Sequence, residues 1–313
     1  MNTFPRVVFC IFLSFCLIDI CCGQIDVEKL QKHVSYLASD ALKGRATGSK
    51  GNLKAARYIE KEMKRIGLQP KGEEGYRQYF DAKIAGQYTH DTIRKAQNII
   101  GFLDNQAAKT IVIGAHYDHL GTEGIFSKDS IHRYAIHNGA DDNASGVAGL
   151  LELARYFVTN NVVESYNLLF IAFGAEEWGL LGSKYFVDNP TIDLKCIHWM
   201  LNMDMIGRYN PSTGLLIIGV GTSVAFDSIL NQVETPLKYN RGKDGRGGSD
   251  QISFYDKNIP VLFFHTNGHE DYHCSTDDAD KVDYESLKQI LELEIQIIQQ
   301  SMQYEQLEFI WTN

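Results

Sequence analysis

From residue 97 onward, short uninterrupted apolar runs alternate with stretches whose apolar positions recur every three or four residues. The runs are "NIIGFL", "TIVIGAH", "NLLFIAF", "CIHWMLNMD", "GLLIIGV" and "VLFFH". Runs of this length with no polar alternation predict strands buried on both faces. Between them, Val147, Leu150, Leu151, Ala154 and Phe157 form one helical stripe, and Leu287, Leu291, Ile295, Ile298 and Met302 form another. Two further helices are predicted ahead of the runs, over Val27–Leu37 and Asn52–Ile66. In the second, Ala56, Ile59, Met63 and Ile66 share a face, Gly67 supplies the C-cap and Pro70 forbids continuation. Buried strands alternating with amphipathic helices predict an α/β sandwich around a largely parallel sheet. "SDALKGRATGSKG" reads as a surface loop, Gly121 to Asn138 as a long polar loop, and "YNRGKDGRGGSD" as a mobile glycine-rich one. No internal repeat or long linker interrupts the pattern, so residues 24–313 read as a single domain.

Residues 1–23 obey a different rule. Arg6 precedes an apolar run too short for a membrane span, and Gly23 offers a small residue at a cleavage position, the pattern of a secretory signal peptide. The expected destination is secreted or periplasmic. Cys21 and Cys22 leave a lipoprotein anchor as a minor alternative, since "LIDI" is a poor lipobox. Four of the six cysteines lie in this leader, leaving Cys196 and Cys274, so no disulfide framework supports the fold. The net charge of −9 argues against nucleic acid as a partner. No transmembrane span is expected after the leader.

The chemistry gathers where the runs end. Ligands of open α/β sheets collect outside the carboxyl ends of the strands. His116 and Asp118 come at the end of the second run, and Glu176 and Glu177 after the third. Asp204 ends the fourth, His273 comes shortly after "VLFFH", and Asp141 and Asp142 lie ahead of a helix. Two carboxylates placed side by side at the lip of a core are costly unless paired or bound to metal. Imidazoles with carboxylates and no cysteine suit zinc-like ions. Two histidines, two terminal carboxylates and one bridging carboxylate would serve a pair of metals, with a further carboxylate as general base.

The segments "GAHYDH", "NGADDNASGVA", "AFGAEEWGLLGS", "NMDMIGR" and "DYHCSTDDADKV" resemble the five metal segments of the secreted dizinc aminopeptidases of metallopeptidase clan MH. Glutaminyl cyclases, glutamate carboxypeptidase II and the transferrin receptor ectodomain are relatives of that family. "ASDALKGRATGSKGNLKAARYIEKEMKRIGLQP" is similar to its N-terminal segment. The resemblance implies a three-layer α/β/α sandwich around a mixed, mainly parallel sheet, two zinc ions per chain (or other divalent metals), and peptide substrates with a free N-terminus. It implies His116 and Asp204 as ligands of one zinc, Glu177 and His273 of the other, and Asp142 as the bridge. Glu176 would be the general base. Asp118 would orient the His116 ring, and Tyr272 would donate a hydrogen bond to the oxyanion.

Three alternatives stand beside this reading. A single-zinc glutaminyl cyclase keeps the fold, although those enzymes tend to carry tryptophan where this chain has Tyr272. A carboxypeptidase or dipeptidase would need cations for a substrate carboxylate, and Arg208 and Arg246 are the candidates. A non-catalytic scaffold would have lost ligands that are all present here. Asp141 could exchange places with Asp142, and Asp142 could also cap the following helix. His119 and His269 read as wall or loop residues, and His90, His132, His137, His198 and His265 as structural or exposed. Cys274 reads as a small buried residue, and the sequon at Asn143 as inaccessible.

Overall fold

The computed structural model describes residues 23–84 and 92–312. The leader over residues 1–23 therefore lies outside the described residues except for Gly23, and His90 lies outside them too. The predicted helices form as α1 (Val27–Leu37) and α2 (Lys50–Ile66), each with a side-chain cap, from Asp26 and Ser49 respectively. Gly67 closes α2 in the left-handed conformation, with φ 105°.

The strands β1 (Gln69–Pro70), β2 (Arg77–Ile84), β3 (Thr92–Leu103), β4 (Thr110–His116), β5 (Asn167–Phe173), β6 (Ile197–Met203), β7 (Leu215–Ile218), β8 (Tyr239–Gly242) and β9 (Val261–His265) belong to one sheet. Its order is β1-β3-β5-β4-β6-β9-β7-β8, with β2 also on β3. The central strands β5, β4, β6 and β9 run parallel, and antiparallel pairs flank them. The sheet is thus mixed with a parallel centre. The apolar runs miss β2, where Gln78, Phe80, Ala82 and Ile84 alternate with outward residues as a half-buried strand does.

Alternate residues of each central strand feed two cores. Ile111, Ile113, Leu168, Phe170, Trp199, Leu201 and Phe264 face α1, α2, α3 (Gly146–Thr159) and α7 (Tyr284–Ser301). Val112, Leu169, Ile171, Phe173 and Met200 face α4 (Leu181–Asp188) and α6 (Gln251–Tyr255) through Phe186 and Phe254. A shorter helix, α5 (Val224–Leu230), joins the first layer through Phe226. This is the three-layer α/β/α sandwich. Burial on both faces explains why the central strands carry no polar alternation.

Two loop readings change. The segment read as a surface loop is a short helical turn over Asp40–Arg45, in which Leu42, Gly44 and Arg45 are buried. The glycine-rich segment contributes β8 and is then tied down, the Gly245 N–H donating to Thr312 Oγ1 at 3.0 Å and Gln251 to the Arg246 carbonyl at 2.5 Å. Gly121 to Asn138 is a long irregular loop, closed at its ends by a bridge between Gly121 and His137. Among the described residues no helix is long and apolar enough to cross a membrane.

Buried His33 on α1 lies 2.7 Å from the Tyr58 hydroxyl, and burial pushes its pKa down to about 4, with Glu62 opposing. The folded state therefore resists a proton that the unfolded chain accepts near pH 6.5, so stability falls as the pH drops from about 6.5 toward 4. His33→Asn removes that loss. The Tm advantage of wild type over His33→Asn should narrow between pH 7 and pH 4.5 in paired thermal melts. A gap that is constant or widens would mean the ring is not held neutral.

Candidate metal centre

The four parallel strands end at the same edge, and the residues just beyond each of them turn inward there. β4 terminates in His116. β5 is succeeded by Gly174 and Ala175, the latter with φ 59°, which turns Glu176 and Glu177 over the end of the sheet. β6 ends at Met203, and Asp204 comes next, its N–H donating to the Phe264 carbonyl at 3.2 Å. His273, with φ 59°, arrives from the turn-rich segment after β9.

Asp142 sits at the centre. Its Oδ1 is 3.4 Å from His116 Nε2, which is 3.4 Å from Asp204 Oδ1. Its Oδ2 is 3.2 Å from His273 Nε2, which is 3.3 Å from Glu177 Oε2. One carboxylate thus faces two separate histidine–carboxylate pairs. Tetrahedral zinc with bonds of about 2.0–2.2 Å places its donors about 3.3–3.6 Å apart, close to all four separations. His116 Nε2 and Asp204 Oδ1 are buried without a hydrogen-bond partner among the described residues. Unsatisfied donor atoms converging at ligand spacing, in an oxygen and imidazole set without thiolate, fit a zinc-like ion at each position.

The electrostatics are those of crowded carboxylates. Burial raises the Glu176 carboxyl well above its usual range, helped by Asp204, Glu177 and Asp250 and opposed by His116. Burial also works on Asp142, but the imidazoles of His119, His116 and His273 hold its carboxyl well below the usual range. Glu177 is held at about 2 in the same way: burial and Asp142 push it up, and His119 and His273 outweigh them. Against its own burial, His273 is drawn up to about 10 by Asp142 and Glu177. The donor set attracts positive charge.

Its orientation comes from a surrounding layer. The Asp277 carboxylate accepts from the Asp142 N–H at 3.0 Å. Asn143 bonds the Met203 carbonyl at 2.9 Å and accepts from the Gly146 N–H at 3.0 Å, so its side chain, not that of Asp142, meets the first residue of α3. The peptide bond between Asp142 and Asn143 is cis. Asp141 belongs to another network, taking the Gly207 N–H at 2.6 Å and facing His269 Nε2 at 3.1 Å. Asn143 is fully buried, which closes the sequon to modification.

Asp118 lies beside His116, but through a different contact from the one expected. The ring Nδ1 faces the Asp118 backbone carbonyl at 3.3 Å, and the carboxylate stands 3.8 Å away. That carboxylate accepts instead from Thr47 at 2.9 Å and from the Glu176 N–H at 3.0 Å, because β4 ends at His116 and the chain turns before Asp118. It therefore anchors Glu176. Tyr272 lines the central cavity of about 210 Å³, its ring 4.0 Å from that of His273 and under the Lys128 ammonium at 3.9 Å. His265, read as structural or exposed, also lines this cavity and bonds the Asp204 carbonyl at 2.8 Å. Cys274 is half-buried rather than buried. Arg208 is paired with Asp271 at 3.0 Å and Arg246 with Asp256 at 3.1 Å.

The sequence assigns two residues here no specific role: His119 reads as a wall or loop residue, and Arg45 lies in a segment that reads as a surface loop. His119 is buried and lies 2.7 Å from Glu177 Oε1. Arg45 is fully buried and directs all five of its N–H donors at backbone carbonyls: Tyr117 and Leu37 at 2.8 Å, Gly139 at 3.0 Å, Asp142 at 3.4 Å, and Asn138. Burial lowers its pKa to about 10, against the pull of Asp142, Asp118, Asp277 and Glu177. Only the geometry exposes either role, since their partners lie far along the chain.

The model of Peptidase family M28 matches residues 98–298. Aminopeptidase YwaD of Bacillus subtilis is 28% identical over 242 residues, which cover 72% of this chain and 48% of that protein. The chain thus spans about half the length of that relative. Among solved structures, a leucine aminopeptidase precursor from Bacteroides thetaiotaomicron superposes with TM-score 0.71 and 20% identity, over 90% of this chain and 98% of that one. A glutaminyl cyclase from the same organism, bound to N-acetylhistamine, superposes with TM-score 0.71 and 19% identity, over 91% and 100%. These likenesses establish the fold, and equal scores for the two neighbours mean that shape alone does not separate their reactions.

Arg45→Met keeps the length of the side chain and strands five carbonyls among carboxylates. Removing one partner from a buried charged network costs about 3–5 kcal/mol, or roughly 10 °C in Tm for a chain of this size. Differential scanning calorimetry of the variant measures this. A loss below about 1 kcal/mol would place Arg45 outside the framework.

Proposed function

The chain belongs to peptidase family M28, and from that premise we propose that it is a metal-dependent aminopeptidase, hydrolysing the first peptide bond of substrates with a free N-terminus. The observation that carries this reading is Asp142, with one oxygen toward His116 and the other toward His273. In this proposal His116, Asp204 and Asp142 hold one zinc ion, and Glu177, His273 and Asp142 a second; other divalent ions of similar preference suit the same donors. When bound, such a pair supplies Lewis acidity, polarising a carbonyl and acidifying a water near neutral pH.

Glu176 is then the general base: its carboxyl, pushed up by burial, accepts the proton of the attacking water and returns it to the departing amine. Asp118 fixes it from behind through the 3.0 Å bond to its N–H. The Tyr272 hydroxyl, at the cavity wall, donates to the developing oxyanion. The acidic lining suits a substrate that enters with a cationic N-terminus. Among the described residues lining the cavity none is Lys or Arg, and Arg208 and Arg246 are already paired, which supports an aminopeptidase over an enzyme that grips a C-terminal carboxylate. Residues 1–23 complete the proposal as a signal peptide to a secreted or periplasmic destination, with residues 24–313 as one catalytic domain.

Metal content by mass spectrometry, with hydrolysis of aminoacyl-arylamides by wild type and Glu176→Ala, tests the proposal. Two zinc ions per chain in both proteins are expected, with kcat lower by about 10²–10⁴ in the variant. One zinc, no arylamide hydrolysis and cyclisation of N-terminal glutamine would replace the aminopeptidase with a cyclase. Absence of both metal and turnover would sink both.

A further inference from the structure

We infer that His119 is a positioning residue for one of the two metal positions, holding Glu177 so that a single carboxylate oxygen is presented to the ion. The inference rests on the reading of Asp142, Glu177 and His273 as ligands.

The side chain of His119 lies against all three. Its Nδ1 is 2.7 Å from Glu177 Oε1 and 3.8 Å from Asp142 Oδ2, and its ring meets that of His273 edge-on at 5.8 Å between centroids. The two oxygens of Glu177 therefore divide their work. Oε1 accepts from His119, and Oε2 is left 3.3 Å from His273 Nε2, at ligand spacing. A carboxylate held by one oxygen cannot swing its other oxygen out of the site, so the cost of ordering it is met before an ion arrives.

The ring itself is seated firmly. It is 1% exposed, and a Cβ at Gly139 would come within 2.5 Å of it, so the left-handed Gly139 backbone, φ 60°, forms its bed. The His119 backbone N–H reaches the Arg45 carbonyl at 3.4 Å. Nε2 has no hydrogen-bond partner among the described residues, which leaves the bond to Glu177 as the polar contact that sets the ring's angle. The other terminal ligand of this position is fixed likewise, His273 Nδ1 facing the Phe126 carbonyl at 3.1 Å.

The test is zinc binding to the full chain, measured by competition with a chromophoric chelator, for wild type, His119→Ala and His119→Asn. Cobalt absorption serves as a second readout, and circular dichroism confirms that each variant is folded. Asn offers an amide N–H close to the place of Nδ1. The expected result is that His119→Ala weakens one of the two binding steps by about 10–100-fold and alters the cobalt spectrum of that step alone, while His119→Asn restores both. If wild type binds two zinc ions and His119→Ala binds them with equal affinity, the inference falls and the proposed function stands. If His119→Asn binds as poorly as His119→Ala, donation to Glu177 is not the role. If His119→Ala is unfolded, His119→Asn alone decides, because loss of one step there overturns the assignment and retention upholds it. Wild type that takes up no zinc removes the metal site itself, and this inference with it.

Discussion

Concentrating negative charge at the carboxyl edge of a buried sheet is the constraint to which the rest of this structure answers. Asp118, Asp142, Glu176, Glu177 and Asp204 converge on one floor, and each is costly there unless something positive or a hydrogen-bond donor meets it. Asp142 shows how narrow the solution is, because its two oxygens face different imidazoles at 3.4 and 3.2 Å. A rotation of that one carboxylate would break both contacts together. Hence its backbone is fixed by Asp277, its neighbour Asn143 is bonded to the end of β6, and its carbonyl is held by Arg45.

Arg45 relates this local problem to the fold. A guanidinium remains charged where an ammonium would lose its proton, and its planar fork spans several carbonyls at once. Here it joins the helical turn after α1, the end of β4 and the loop entering the Asp142 segment. The cation therefore stabilises both the site's charge and the convergence of three chain segments. Its position within a segment rich in turn formers is explained by this: such a segment can track the contour of the floor where a regular helix or strand could not.

The same surroundings separate the proton affinities of adjacent residues. Glu176 and Glu177 are neighbours in the chain but point to different partners. Glu177 is engaged by His119 and His273, which hold it ionised at about 2. Glu176 has its N–H fixed by Asp118 and its carboxyl pushed up by burial among other acids. Two identical side chains acquire different proton affinities from surroundings alone, as a site requires when one carboxylate is to bind cations and another to exchange protons.

Much of this was legible in the amino-acid sequence. The apolar runs located the parallel strands because burial on both faces leaves a continuous signal, and the rule that ligands gather at strand ends selected His116, Glu176, Glu177 and Asp204. The half-buried hairpin strand β2 escaped, since a period of two with Gln78 on the inward face carries little hydrophobic contrast. His119 and Arg45 escaped for a stronger reason. Their partners lie 58 and up to 97 residues away, and no local periodicity records a contact across that distance. That the Asp118 carboxylate takes Thr47 and the Glu176 N–H as its partners was likewise left to the folded chain. Periodicity and motif order belong to the chain itself, so the sequence alone determined the layers and the kinds of side chain that gather at the sheet edge. Which atoms face one another depends on how separate segments pack, and only the tertiary structure decided that.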